Sequence, residues 1–216
     1  AGIVSFKENV SLDRLKNMTN AIIHRGPDGE GHWIDDKGTV GFGHRRLSII
    51  DLSEEGNQPM HYQHVSIVFN GEIFNYKELS QKHLAGYWAT NGQALTHSDT
   101  EVLLALLIQY GTECIQWLHG FFAFSFYDCQ TAQMIIARDP FGKKPLLFYH
   151  SKDSFAFASE MKALLEYNVP RKINFSVLHQ YLQLNYVPQP QSMIEGVAKV
   201  KPGHFMVLGK NGLEKT

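Results

Sequence analysis

Asn70 and Gly71 place two neutral hydrogen-bond donors side by side, a side-chain amide and a backbone N–H with no Cβ to keep a ligand away. Donors that converge in this way suit an oxygen that becomes negative during a reaction. The same pair also reads as a plain turn joining a strand to a helix. His44-Arg45-Arg46 runs into Leu47-Ser48-Ile49-Ile50-Asp51. Adjacent arginines are usually solvated, but these abut an apolar segment, and an arginine turned inward needs a carboxylate from the protein or from a ligand. Asp99 falls in the first turn of an expected helix, where an acid complements the helix dipole and where it could also receive an ammonium group.

The elements that must hold these groups follow from the apolar pattern. Val65, Ile67, Val68 and Phe69 form a largely buried strand ending at Asn70-Gly71, and Ile73 to Leu79 begins a helix with Asn75 as N-cap and Glu78 three residues on. Gly2 to Phe6 reads as a buried strand that starts almost at residue 1. Ser11 caps a helix through Leu12, Leu15, Met18 and Ile22, and His24-Arg25-Gly26-Pro27-Asp28-Gly29 breaks it. Gly31 to Ile34 and Thr39 to Gly43 are strands. Ser98 and Glu101 form a capping box before the buried run Val102 to Ile108.

From Gly120 the pattern changes to strands, at Phe121–Tyr127, Gln133–Arg138, Lys144–Tyr149 and Ser154–Ala158, with helices at 160–167 and 175–186 and a last strand at 204–208. The phenylalanine run is expected to be covered on both faces. Strands and helices in blocks, without steady alternation, point to α+β with two antiparallel sheets.

The bulk numbers narrow the classes. The chain has 216 residues, 44% hydrophobic and 19% charged, with a formal net charge of −1. That is globular, with no field favouring nucleic acid or an anionic membrane. Two cysteines, Cys114 and Cys129, are too few for a disulfide framework and fit a reducing compartment. With no apolar run of membrane-spanning length and no signal-like start, the expectation is a cytoplasmic protein with neither a membrane nor a nucleic-acid partner. His61 and His64 lack companions for a metal site, so no metal is expected, and Asp139-Pro140-Phe141-Gly142 reads as a turn.

Taken together, several runs resemble the glutamine amidotransferase domain of class II amidotransferases, within the N-terminal nucleophile hydrolase superfamily. They are Gly2-Ile3-Val4, His24-Arg25-Gly26-Pro27-Asp28, Arg46-Leu47-Ser48-Ile49-Ile50-Asp51, Asn70-Gly71-Glu72-Ile73-Phe74-Asn75, Ser98-Asp99-Thr100-Glu101, Arg138-Asp139 and Ala158-Ser159-Glu160. The wording after Arg46 favours the N-terminal domain of glutamine-hydrolysing asparagine synthetases. The resemblance implies a four-layer αββα sandwich over residues 1–210, with 211–216 as a tail. It implies L-glutamine as substrate, hydrolysed to glutamate and ammonia by a cysteine at position 1 whose α-amine relays the proton.

By the same resemblance, Asn70 and Gly71 would bind the oxyanion. Arg46 would hold the α-carboxylate of glutamine, and Asp99 with Glu72 its α-ammonium. Leu47, Ile49 and Ile50 would line the slot, while Arg25 and Asn75 would position the chain start.

Two departures qualify this. Position 1 is Ala1, so thioester chemistry is expected to be absent. Either a cysteine was replaced to trap bound glutamine, which the retained clamp residues favour, or activity was lost naturally, leaving a scaffold or regulatory domain that docks an ATP-dependent synthetase. The phosphate loop of the family's ATP-pyrophosphatase domain is also missing from these residues. No cofactor is therefore expected here, ATP and magnesium belonging to a synthetase domain in cis or in trans, and a homodimer is left open.

Overall fold

The phenylalanine-rich strand shows how the layers arise, because its two faces carry different side chains. Phe122, Phe124 and Phe126 point one way into a cluster with Leu103 and Leu106, while Ala123 and Tyr127 point the other way into a cluster with Phe42 and Phe157. Successive strand residues face opposite sides, so one sheet serves two cores. The computed structural model describes residues 1–47, 57–91, 98–210 and 212–215.

In chain order the elements are β1 (Gly2–Ser5), α1 (Leu12–Asn20), β2 (Gly29–Ile34), β3 (Val40–Arg46), β4 (Met60–Tyr62), β5 (Val65–Ile73), α2 (Tyr76–His83), α3 (Ala85–Asn91) and α4 (Asp99–Tyr110). There follow β6 (Gly120–Asp128), β7 (Gln133–Arg138), β8 (Leu147–His150), β9 (Ser154–Ala158), α5 (Met161–Leu165), α6 (Phe175–Leu184), β10 (Val197–Lys199), β11 (Phe205–Gly209) and β12 (Gly212–Lys215).

The strands form two six-stranded sheets, ordered β10-β8-β9-β1-β3-β2 and β12-β11-β7-β6-β5-β4. All their paired strands are antiparallel. Leu15 and Met18 of α1 and Ala163 and Leu164 of α5 pack with Ile3, Ala156 and Ala158 on the outer face of the first sheet. Leu79 of α2 and the apolar residues of α4 cover the outer face of the second. Val4, Phe42, Phe155 and Phe157 meet Val68, Ile136, Met206 and Leu208 between the sheets. The result is the four-layer αββα sandwich and the α+β class expected from the sequence. Each fully buried ring or branched chain in these layers contributes roughly 1.5–3 kcal/mol by leaving water.

Two features place the site. β1 is an inner strand, with Gly2 opposite Phe42 on one side and Phe157 on the other. A Cβ at Gly2 would run into the Phe157 ring, which packs over this glycine, so a side chain here would have to displace that ring. In the second sheet Val68 lies opposite Ser125, Asn70 opposite Ala123 and Gly71 opposite Phe122.

That register corrects the sequence reading of Asn70-Gly71. The strand does not end there but continues to Ile73. Gly71 has φ of 155°, and a Cβ on it would lie 2.1 Å from the Phe121 carbonyl oxygen. The glycine is therefore required for close approach of β5 to β6, a long-range demand that looks like a turn signal in one dimension. Asn75 does occupy the N-cap position of α2, but its side chain makes no cap bond. Its amide instead donates to the Trp117 carbonyl at 2.9 Å and accepts from the His119 N–H at 3.0 Å. Ser98 does cap α4, accepting from the Glu101 N–H at 3.3 Å, and Ser11 caps α1 through the Arg14 N–H at 3.3 Å.

Elsewhere the differences are small. β3 extends through the basic cluster to Arg46, and α6 stops at Leu184, where Asn185 takes the left-handed conformation at φ 58°. Short strands β4, β10 and β12 and helix α3 carry patterns too brief to read from sequence.

Candidate active site

Residue 1 is held by its own backbone at the end of β1. The α-amine donates to the Gly43 carbonyl at 2.8 Å, and the Gly43 N–H donates to the Ala1 carbonyl at 2.9 Å, so the ladder with β3 runs to the terminus. Burial lowers the amine from its ordinary value to about 5. An amine so placed is neutral at pH 7 and carries a lone pair, which is what a proton acceptor requires.

A pocket opens beside it. Its wall includes Ala1, Arg25, His44, Asn70, Ser125 and Ser159. The space exists because β6 presents small side chains, Ala123 and Ser125, to the intersheet side while its phenylalanines fill the opposite core. Three polar atoms in this wall are buried without a hydrogen-bond partner among the described residues: Asn70 Nδ2, His44 Nδ1 and Ser125 Oγ. Buried polar groups are nearly always satisfied, so three open ones around one cavity point to a ligand.

The adjacent arginines separate. Arg45 turns inward, its Nη2 2.6 Å from Glu30 Oε2, and also donates to the Asn20 side-chain oxygen and, at 3.3 Å, to the Thr19 carbonyl. Of the two sources of carboxylate left open for an inward arginine, the protein supplies this one. Arg46, on the opposite strand face, donates from Nη1 to the Asn57 side-chain oxygen at 2.8 Å. Leu47 beyond it is exposed, and Ile49 and Ile50 lie outside the described residues.

Arg25 lines the pocket and pairs with Glu160 at 3.1 Å, and His24 reaches the same carboxylate oxygen at 3.0 Å. Burial would raise the Glu160 carboxyl, but the hydrogen bonds from Arg25 and His24 outweigh it and hold the group below the usual range. Asp99 accepts the Ile73 N–H at 2.9 Å, tying the start of α4 to the end of β5. Burial raises its carboxyl despite that bond, with the nearby charge of Glu72 adding in the same direction. Ala1, Asn70 and Arg25 thus share one pocket wall, whereas Arg46, Leu47, Gly71, Glu72, Asp99 and Asn75 do not line it.

Residues 1–216 match the family described as "Glutamine amidotransferase domain". This chain belongs to that family. It is 42% identical over 200 residues to "Asparagine synthetase [glutamine-hydrolyzing] 1" of Bacillus subtilis, which covers 92% of this chain and 30% of that protein. It is 35% identical over 221 residues to "Putative asparagine synthetase [glutamine-hydrolyzing] 2" of Methanocaldococcus jannaschii, covering 93% of this chain and 42% of that protein. This chain therefore spans only 30% and 42% of these two relatives' length. Among solved structures, a glutamine phosphoribosylpyrophosphate amidotransferase of B. subtilis superposes with a TM-score of 0.69 at 20% identity, over 100% of this chain and 49% of that one. That likeness concerns the fold.

Other residues of the amidotransferase domain have structural work. Cys114 is fully buried, its Sγ donating to the Gly111 carbonyl at 3.2 Å, and burial pushes its thiol up to about 12, so it is no nucleophile. Cys129 packs against the intersheet core. Asp139 is fully buried and accepts the N–H groups of Phe141, Lys143 and Lys144 at 3.0, 2.9 and 3.0 Å, the geometry of a turn. Among the described residues, no helix is long and apolar enough to cross a membrane.

His44 and Ser125 went unnoticed as site residues in the sequence. The signal for Ser125 was present in Phe-Phe-Ala-Phe-Ser-Phe-Tyr, where large and small residues alternate across a strand.

Proposed function

We propose that this domain binds L-glutamine with its side-chain amide directed at residue 1, and that a cysteine there would hydrolyse it to glutamate and ammonia. The observation that carries this reading is the buried, unpartnered Asn70 amide in the same pocket as Ala1. It is a donor already desolvated and waiting for an oxygen.

In the proposed reaction the thiol of Cys at position 1 gives its proton to the neutral α-amine and attacks the amide carbon. The oxyanion takes hydrogen bonds from Asn70 Nδ2 and the Gly71 N–H. As the C–N bond breaks, the amine returns the proton to the leaving nitrogen, and water then cleaves the thioester. Arg46 holds the α-carboxylate and Asp99 with Glu72 the α-ammonium, while Leu47, Ile49 and Ile50 line the slot. Arg25 and Asn75 brace the surrounding backbone, Arg25 through Glu160 and Asn75 through Trp117 and His119.

The ammonia is passed to an acceptor on an ATP-dependent synthetase domain, which supplies ATP and magnesium, so this domain needs no cofactor. With Ala1 the domain grips glutamine without turning it over.

Calorimetric titration tests this. L-glutamine is expected to bind the Ala1 chain at sub-millimolar concentration. Analogues lacking either α-group should bind about 10-fold to 150-fold more weakly, the loss of one charge-assisted hydrogen bond. Absence of glutamine binding at millimolar ligand, or equal binding of a simple carboxamide such as butyramide, would contradict it.

A further inference from the structure

Of the three unpartnered atoms in the pocket, the oxyanion needs only Asn70 Nδ2. His44 Nδ1 and Ser125 Oγ remain, and nothing proposed above uses them. Their chemistry is fixed by their neighbours. His44 Nε2 lies 3.3 Å from the Phe69 carbonyl oxygen. A carbonyl can only accept, so Nε2 carries the hydrogen and Nδ1 presents a lone pair to the pocket. Burial, reinforced by the charge of the α-amine, brings the imidazole down to about 4, which keeps it neutral and makes it a hydrogen-bond acceptor rather than a base. Ser125 is fully buried, and its hydroxyl can both donate and accept.

An apolar pocket would have cost less to build. On β6 the intersheet positions flanking Ser125 are Ala123 and Tyr127, and opposite it stands Val68, so an alanine would fit the same space. A hydroxyl and an imidazole nitrogen left open in the same wall suit one small molecule that donates to Nδ1 and exchanges a hydrogen bond with Oγ.

We propose that His44 and Ser125 hold the water molecule that cleaves the acyl-enzyme. This deepens the glutamine reading and rests on it. The water oxygen adds to the thioester carbonyl carbon, forming the C–O bond, while its proton goes to the neutral α-amine. The C–S bond then breaks, and the amine returns that proton to the departing sulfur, regenerating the thiol. His44 takes no proton. It accepts the water's second hydrogen and so aims an oxygen lone pair at the carbon.

Two measurements decide this. A crystal structure of the Ala1 chain at about 1.2 Å, fine enough to place single waters, should show a solvent peak within about 3.2 Å of both His44 Nδ1 and Ser125 Oγ. A dry pocket overturns the proposal whatever the enzyme's activity. In an Ala1→Cys background, acid-quenched mass spectrometry follows the decay of the glutamyl thioester after a single turnover. His44→Leu and Ser125→Ala should each slow that decay roughly 2-fold to 10-fold, the loss of one hydrogen bond, with acylation unchanged.

His44→Gln, which restores an acceptor, should recover part of the rate. Slower acylation with unaltered decay would make His44 merely structural and overturn the proposal. If Ala1→Cys forms no thioester at all, the glutamine reading fails, while the solvent peak still decides whether the water site exists.

Discussion

An Ala1→Cys variant hydrolyses L-glutamine to glutamate, with kcat on the order of 1 s⁻¹ or above, while the Ala1 chain gives no turnover. The size of the effect follows from what the methyl lacks. Every other proposed step needs a nucleophile at position 1, and Cys114, the one buried thiol with a raised pKa, sits within the helical core. Its pH dependence carries a second expectation. The amine accepts a proton only when neutral, and burial places its loss of charge near 5. The kcat/KM of the variant should therefore rise through about pH 5 and be level by pH 7, where a solvated amine with an ordinary value near 8 would still be mostly charged. A glutamate-release assay across pH 4–9 checks both. No hydrolysis by a folded variant, or a limb centred near 8, would contradict the role given to residue 1.

Replacing Asn70 by alanine in that active variant lowers kcat about 10²-fold to 10³-fold, the usual result of removing one oxyanion donor. KM should change little, because the hydrogen bond strengthens as charge develops on the oxygen and contributes less to the bound ground state. The same geometry predicts a small effect on stability. Asn70 Nδ2 has no partner among the described residues, so its removal breaks no hydrogen bond of the fold. Steady-state kinetics alongside urea denaturation separate the two effects. A loss of under about 5-fold in kcat would remove Asn70 from the reaction, since even a weak donor there should exceed that. A large fall in unfolding midpoint would recast Asn70 as a structural residue.

The fold was legible where pattern is local. Alternation in the Phe121 run, the capping serines Ser11 and Ser98, and the apolar face of α1 each report contacts that chain neighbours share. Gly71 was misread because its constraint comes from Phe121, fifty residues on, and Asn75 because Trp117 and His119 compete for its amide. In the site, Asn70 stood out by residue type, whereas position 1 stood out only through the family resemblance, which expects a cysteine where this chain has Ala1. Which arginine turned inward could not be read from two adjacent arginines, since it depends on Glu30 across the β2–β3 ladder. The small-large alternation around Ser125 hints at a space beside β6, but that Ser125 Oγ and His44 Nδ1 lack partners is a property of the folded chain alone.

In the proposed geometry glutamine enters with its amide at residue 1 and its charged end away from it. A crystal structure of the Ala1 chain soaked with L-glutamine tests this most directly. The amide oxygen should lie about 2.7–3.2 Å from Asn70 Nδ2, and the α-carboxylate should meet Arg46. Glutamine bound in reverse, with its α-carboxylate at the Asn70 amide, or a pocket beside Ala1 that stays empty at saturating ligand, would contradict it.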